Sequence, residues 1–211
     1  MFSVIIVAAG TSQRMGFDKL MAPLDGKPVL AHSVTTFLDC PDIVEVILVS
    51  TQERLEQLNI SHSKLKLTSG GANRHDSVAN GLSAVSSEAD FVAVHDGARP
   101  YITREQINKT LLAAIKYGAA ASAKKITDTV KRSNKENFAT ESICRENLWA
   151  METPQIFKTN LLINAYQSVE DSGSLVTDEV SALELIGTPT HLVENLTPNT
   201  KITYPQDLDI V

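Results

Sequence analysis

Residues Val4-Ile5-Ile6-Val7-Ala8-Ala9 are apolar without interruption, and Gly10 ends the run. A strand with one wet face alternates polar and apolar residues, because successive side chains point to opposite faces. A β-branched run without alternation fits a strand covered on both faces, as in parallel sheets flanked by helices. The chain repeats the theme. After a polar, glycine-containing loop from Gly10 to Gly26, Pro28 opens a helix with Leu30, Val34, Phe37 and Leu38 at helical spacing. Further strands are expected at Val44 to Val49, Lys64 to Thr68, Phe91 to Val94 and Gly118 to Ala123. Helices are expected to carry Val78, Leu82 and Val85, then Ile107, Leu111 and Ile115 behind a Thr103/Gln106 capping box, then Leu162, Ala165, Tyr166 and Val169. A last helix is expected to begin at Thr177, with Asp178 and Glu179 in its first turn. The alternation predicts an α/β fold: one doubly wound, mostly parallel sheet over residues 1–211.

From about 124 to 153 the rhythm breaks. Charged and apolar residues alternate through Lys125-Ile126-Thr127-Asp128-Thr129-Val130-Lys131-Arg132, and the segment then turns polar. This predicts a protruding β-arm with little core of its own, and a lone hairpin is marginal in water unless a partner surface supports it.

Composition narrows the function classes. With 19 Lys+Arg against 25 Asp+Glu the net charge is −6, which excludes a generally basic nucleic-acid binder while leaving room for a local basic pocket. The first apolar run is far too short to span a membrane, and no basic segment precedes it, so neither membrane nor secretion signal is expected. Cys40 and Cys144 are far apart and form no CxxC pair, which points to a reducing, cytoplasmic setting.

Doubly wound sheets bind ligands at the carboxyl ends of their strands, so the loops there carry the function. The first contains Ala8, Ala9 and Gly10, then Arg14 and Lys19 five residues apart. It is neither a Walker A loop nor a dinucleotide fingerprint, since Gly16 follows Gly10 one residue too late and no GxGxxG occurs. It offers backbone N–H groups, a guanidinium and an ammonium, the equipment for charge developing at phosphorus. Two solvated surface cations are the bland alternative. The second loop, Gly70-Gly71-Ala72-Asn73-Arg74-His75-Asp76-Ser77, permits close backbone approach at a helix start; taken alone, it reads more readily as a helix cap by Asp76 or Asn73 with Arg74 in solvent. The third, His95-Asp96-Gly97-Ala98-Arg99-Pro100, places an Asp where Mg²⁺ is often met, or else a structural Asp96–Arg99 pair. The five histidines show no metal-ligand spacing.

Taken in order, these loops together with Asp128-Thr129-Val130-Lys131, Thr153-Pro154-Gln155, Thr177-Asp178-Glu179-Val180-Ser181 and Lys201-Ile202-Thr203 resemble the 2-C-methyl-D-erythritol 4-phosphate cytidylyltransferases. The likeness runs across almost the whole chain. It implies a Rossmann-like nucleotidyltransferase that transfers CMP from CTP to methylerythritol phosphate, with diphosphate released, in non-mevalonate isoprenoid synthesis. It implies Mg²⁺ held mainly by the CTP phosphates, with no protein metal site, and a homodimer interlocked through the arm. By the same likeness, Arg14 and Lys19 stabilise the α-phosphorus and departing diphosphate. Ala8, Ala9, Gly10, Gly71, Ala72 and Ser77 hold the nucleotide. Asp96 and Arg99 face the sugar and phosphates. Arg145, Thr153, Thr177 and Lys201 hold the polyol phosphate, with Arg145 and Thr129 reaching the neighbour's site. Ser12 stands where the family often has Gly, and Phe17-Asp18-Lys19-Leu20 where Pro-Lys-Gln is usual, so Asp18 is expected to weaken the local positive potential. The nearest rival is a cytidylyltransferase for another polyol phosphate, such as ribitol 5-phosphate. A non-catalytic nucleotide-binding domain is disfavoured by the presence of Arg14, Lys19, Asp96 and Lys201.

Overall fold

A computed structural model describes residues 1–10 and 15–209. The opening run forms β1 (Phe2–Val7). A tiny hairpin, β2 (Pro23–Leu24) and β3 (Lys27–Pro28), leads into α1 (Val29–Leu38). Then follow β4 (Ile43–Val49), α2 (Gln52–Leu58), β5 (Leu65–Thr68), α3 (Arg74–Ser83), β6 (Phe91–Asp96), α4 (Arg104–Tyr117) and β7 (Ala119–Lys125). A hairpin of β8 (Val130–Ser133) and β9 (Ala139–Ile143) precedes β10 (Trp149–Lys158), α5 (Thr159–Ser172), α6 (Glu179–Leu185) and β11 (His191–Glu194).

Seven strands form one sheet in the order β11-β7-β10-β6-β1-β4-β5. β10 runs against both its neighbours, and every other neighbouring pair is parallel. The chain winds outward from β1 through β4 to β5, then crosses back to β6 on the other side of β1. The crevice beyond the carboxyl ends of β1 and β6 is therefore the topological switch point. Register brings the two ends together, since Val7 pairs with Asp96 and, on the other side, with Val49.

The two faces of β1 explain its unbroken hydrophobicity. Val4, Ile6 and Ala8 pack with Leu30, Val34, Phe37, Ile107 and Leu111 from α1 and α4. Ile5 points the other way, into a cluster with Val78, Leu82, Leu162, Tyr166 and Leu183 from α3, α5 and α6. In α5 the buried residues are Leu162, Ala165, Tyr166 and Val169, as the spacing predicts.

Several local expectations change. In α4, Ala114 is the inward residue while Ile115 is exposed. Thr103 does cap α4, accepting from Gln106 N at 3.2 Å, but the Gln106 side chain turns into the core to donate to Ser122 Oγ at 2.9 Å. The box is thus half formed, because a buried hydroxyl outcompetes the helix start for that amide. Gly118 belongs to the helix end, not the strand, in the left-handed conformation with φ +87° that glycine tolerates best. The last helix starts at Glu179, with Asp178 as its cap through a bond from Ser181 N at 3.0 Å, so Thr177 lies just outside it.

Both ends of the segment expected to form an arm belong to the main sheet. β7 and β10 stay paired as far as Lys125 and Trp149, so Thr153 sits within the main sheet. Between them β8 and β9 make a separate two-stranded sheet, mostly exposed, with Phe138 bare at its turn. Cys40 is buried, Cys144 is exposed, and both are free. No described helix is long and apolar enough to cross a membrane.

Candidate active site

Three loops meet at the switch point around a cavity of about 630 Å³. Its walls include Ala8, Ala9 and Gly10 after β1, Gly71, Ala72 and Ser77 at the start of α3, and Asp96 at the end of β6. Lys19, Arg74 and Lys201 supply positive charge, and Asp96 is the only carboxylate among the described lining residues. Glu179 answers the charge of Arg74, which leaves Lys19 and Lys201 against Asp96, a net positive wall that suits a polyphosphate. The two glycines of the second loop are required by contact. A Cβ on Gly70 would collide with that of Ala9, and one on Gly71 with Asp76. Ser77 staples this loop, accepting from Gly71 N and donating to the Asn73 carbonyl, each at 3.0 Å. Asp76 accepts from Asn73 N at 2.8 Å, so the expected cap exists. Arg74, however, is not in solvent.

Arg74 reaches across the crevice. It forks onto Glu179 at 2.6 and 3.1 Å, and its NH2 also lies 3.3 Å from Asp96 Oδ1. Lys201 Nζ lies 2.8 Å from the other Asp96 oxygen, and Arg99 Nε lies 3.4 Å from the same atom. Burial alone would raise the Asp96 pKa, but Arg74, Lys201 and Arg99 together hold it far below the usual carboxylate range. Burial likewise opposes charge on Arg74, yet Glu179 and Asp96 drive its pKa further up. Both groups are therefore ionised throughout the working pH range.

A second cavity, of about 360 Å³, lies on the far side of this cluster. Arg99, Thr153, Thr177, Asp178 and Glu184 line it, and it shares Arg74, Asp96 and Lys201 with the first. The expected binding groups differ in how far they are buried and committed. Thr177 is exposed at the rim, its hydroxyl 3.3 Å from Ser181 Oγ. Arg99 acts as a strut, donating to the Asn199 carbonyl at 2.8 Å and the Met151 carbonyl at 3.3 Å. Thr153 Oγ1 accepts from Asp96 N at 3.1 Å and lies 2.9 Å from His95 Nδ1. Burial pushes the His95 pKa down to about 3, so the ring is neutral; the Thr153 hydroxyl donates to Nδ1 and Nε2 faces the Arg99 carbonyl at 3.3 Å. His95 is thus structural, as expected, and fixes the turn that aims Asp96.

Lys19 lines the first cavity and donates to the Ile202 carbonyl at 2.6 Å, tying the first loop to the segment that carries Lys201. Ala8 forms wall rather than a binding group, because its N–H bonds the Val49 carbonyl and its own carbonyl accepts from Ser50 and Arg54. Arg14 lies outside the described residues. Thr129 and Arg145 lie in the arm region and are exposed, Arg145 bonded to the Thr127 carbonyl; neither lines the two cavities of its own chain. Among the described residues no cluster of three or more His, Cys, Asp and Glu could hold a metal by itself.

Sequence reasoning missed the weight of Arg74 and Glu179. Both lay inside motifs already singled out, but only the fold shows that they meet. It missed Gln155 as well, whose Oε1 accepts from Glu179 N and Val180 N at 3.1 and 3.2 Å and so seats α6.

The comparisons agree with this geometry. Residues 2–211 match the family model described as 2-C-methyl-D-erythritol 4-phosphate cytidylyltransferase (IspD). Curated proteins of that name from Caldanaerobacter subterraneus subsp. tengcongensis and Geobacillus kaustophilus are 39% and 37% identical, over 98% of this chain and 95% and 93% of theirs. The crystal structure of the Francisella tularensis 2-C-methyl-D-erythritol 4-phosphate cytidylyltransferase is similar at a TM-score of 0.88 and 28% identity, covering 99% of this chain and 97% of that one. The Thermus thermophilus structure gives 0.83 and 30%, covering 99% and 96%. The chain belongs to the 2-C-methyl-D-erythritol 4-phosphate cytidylyltransferase family, enzymes that transfer CMP from CTP to 2-C-methyl-D-erythritol 4-phosphate.

Proposed function

We propose that the two cavities divide the two substrates, CTP at the switch point and methylerythritol phosphate beyond Asp96, with Arg74, Asp96 and Lys201 as their common wall. The single observation behind this reading is that those three residues line both cavities. The bond to be made must form where the cavities meet. A phosphate monoester is largely dianionic near neutral pH, so its oxygen attacks the α-phosphorus without a general base. One P–O bond forms to the incoming phosphate, the bond from the α-phosphorus to the bridging oxygen breaks, and diphosphate leaves with that electron pair. The protein's task is alignment and charge neutralisation. Lys19 faces the triphosphate in this reading, Arg14 takes the same role from the family resemblance alone, and Lys201 faces both substrates.

A Mg²⁺ would enter held mainly by the triphosphate, since Mg²⁺ commonly binds substrate phosphates with only one or two carboxylates and Asp96, the one carboxylate among the described lining residues, is already paired with Arg74, Lys201 and Arg99. Bound there, it would add charge neutralisation on the phosphate oxygens. The exposed arm supports a homodimer in which Thr129 and Arg145 serve the neighbour's site, and the enzyme is assigned to the cytoplasm. The test is diphosphate release from CTP with methylerythritol phosphate, against ribitol 5-phosphate, for wild type and Lys201→Met. A shared wall predicts that Lys201→Met raises KM for both substrates or lowers kcat. A change confined to the KM for CTP would count against it, and better turnover of ribitol 5-phosphate would move the polyol assignment.

A further inference from the structure

α2 contributes little to the core, with Leu58 its one buried residue, yet it turns one charged side chain inward. The Arg54 guanidinium is spent on a single region. Nε donates to Asp18 Oδ2 at 2.7 Å, NH1 to the Ala8 carbonyl at 2.5 Å and NH2 to the Gly10 carbonyl at 2.9 Å. The side chain is 11% exposed. The other Asp18 oxygen accepts from Leu20 N at 3.1 Å, which spans Lys19. Ala8 and Gly10 are where the chain leaves β1, and Asp18 is where it returns to the cavity wall. One side chain therefore holds both ends of the first loop. The negative charge of Asp18 is answered by Arg54 instead of subtracting from the field at Lys19.

We infer that Arg54 and Asp18 are a positioning pair for CMP transfer: they tie the end of β1 to the stretch around Asp18 so that Lys19 stands at the phosphate end of the nucleotide cavity. The inference rests on the assignment of that cavity to CTP. Its physical basis is the shape of the guanidinium. Three donors in one plane hold two carbonyls and a carboxylate in a set relation, which a lysine ammonium cannot reproduce. The Asp18 side chain is 35% exposed, so the ion pair is partly screened and contributes little to global stability. Its effect should appear in kinetics, because a displacement of about 1 Å at a reacting group can cost about 10² in rate.

The test is steady-state diphosphate release with CTP and methylerythritol phosphate, together with melting midpoints. It uses the full chain as wild type, Arg54→Gln, Arg54→Lys, Asp18→Asn, Lys19→Ala and the Lys19→Ala/Arg54→Gln double variant. Arg54→Gln should lower kcat/KM by roughly 30- to 100-fold, and Arg54→Lys should recover little of it. Asp18→Asn keeps an oxygen for Leu20 N. It should lower kcat/KM by about five- to tenfold at an unchanged melting midpoint. In the Lys19→Ala background, Arg54→Gln should cost less than about threefold, because the group it positions is already gone. A lowered melting midpoint with kcat/KM unchanged would make the pair merely structural. The full Arg54→Gln loss persisting without Lys19 would also overturn the proposal. Should Arg54→Gln fail to fold, Asp18→Asn decides alone, and activity within about twofold of wild type sinks the idea. A wild-type chain that releases no diphosphate would instead overturn the site assignment beneath it.

Discussion

Glu179, fully buried at the first turn of α6, accepts both terminal nitrogens of Arg74, which comes from the first turn of α3 across the crevice. Tyr166 donates a further bond to Glu179 Oε1 at 3.0 Å; burial first, and Glu179 beside it, push the phenol pKa well up, so the hydroxyl keeps its proton. The pair joins the loop at the start of α3 to the start of α6 across the crevice. Removing one member of a buried ion pair leaves an uncompensated charge, which commonly costs about 3–5 kcal/mol. Glu179→Ala should lose about that much stability by urea denaturation, while Glu179→Gln, still able to accept from Arg74, should lose less. A loss below about 1 kcal/mol in the alanine variant would mean that Arg74 finds another anion.

Lys19 and Arg14 are expected to act on the rate more than on binding. Removing one group that stabilises developing charge commonly lowers turnover about 10²–10³-fold. Lys19→Ala and Arg14→Ala should each fall by that order in kcat while the dissociation constant for CTP, measured by calorimetry, changes much less. Near-normal turnover in either variant removes that residue from the chemistry.

His95 gives the enzyme a pH-dependent stability in a window of its own. Burial lowers its pKa from 6.5 to about 3 in the folded state. Between those values the unfolded chain binds the proton and the folded chain does not, so stability rises with pH and is lost as pH falls below about 6.5. The slope approaches about 1.4 kcal/mol per pH unit. The pKa of Asp96 is depressed as well, so its contribution is present above about pH 4 and is lost only below that. Denaturation midpoints between pH 7.5 and 5 should fall in the wild type and stay nearly level in His95→Asn. An equally steep fall in the variant would place the proton elsewhere.

The sequence made the two-faced strand β1, the α1 and α5 stripes and the three strand-end loops readable, because each is set by local periodicity or by its place after a strand. It concealed β10, whose run Thr153-Pro154-Gln155-Ile156-Phe157 lacks alternation and whose antiparallel place between β6 and β7 is a tertiary fact. It concealed α2 too, since Gln52–Leu58 is short, polar and buries only its last residue. Arg54 therefore gave no signal, although it grips the loop that carries Lys19. The Arg74–Glu179 pair spans 105 positions, and no spacing rule reaches that far. Site membership was legible where a motif sits at a strand end. The commitments of each group, such as Ser77 to its own loop or Arg99 to two carbonyls, required coordinates.

The arm yields the prediction that most directly tests a shared site. Thr129 and Arg145 are exposed and line neither cavity of their own chain, while Lys19 lines the first. In a two-fold dimer each chain would supply Lys19 to its own site and Arg145 to its neighbour's. Lys19→Ala and Arg145→Ala homodimers should then both be nearly inactive. A mixed dimer of the two has one site carrying both defects and one site carrying neither. Random one-to-one mixing makes about half of the dimers mixed, each with one intact site of two, so roughly a quarter of normal activity should return. The measurement is diphosphate release after the two inactive variants are refolded together, with subunit exchange verified by a size tag on one of them. If exchange is complete and activity stays at background, Arg145 serves its own chain or none, and the arm is at most a structural clasp.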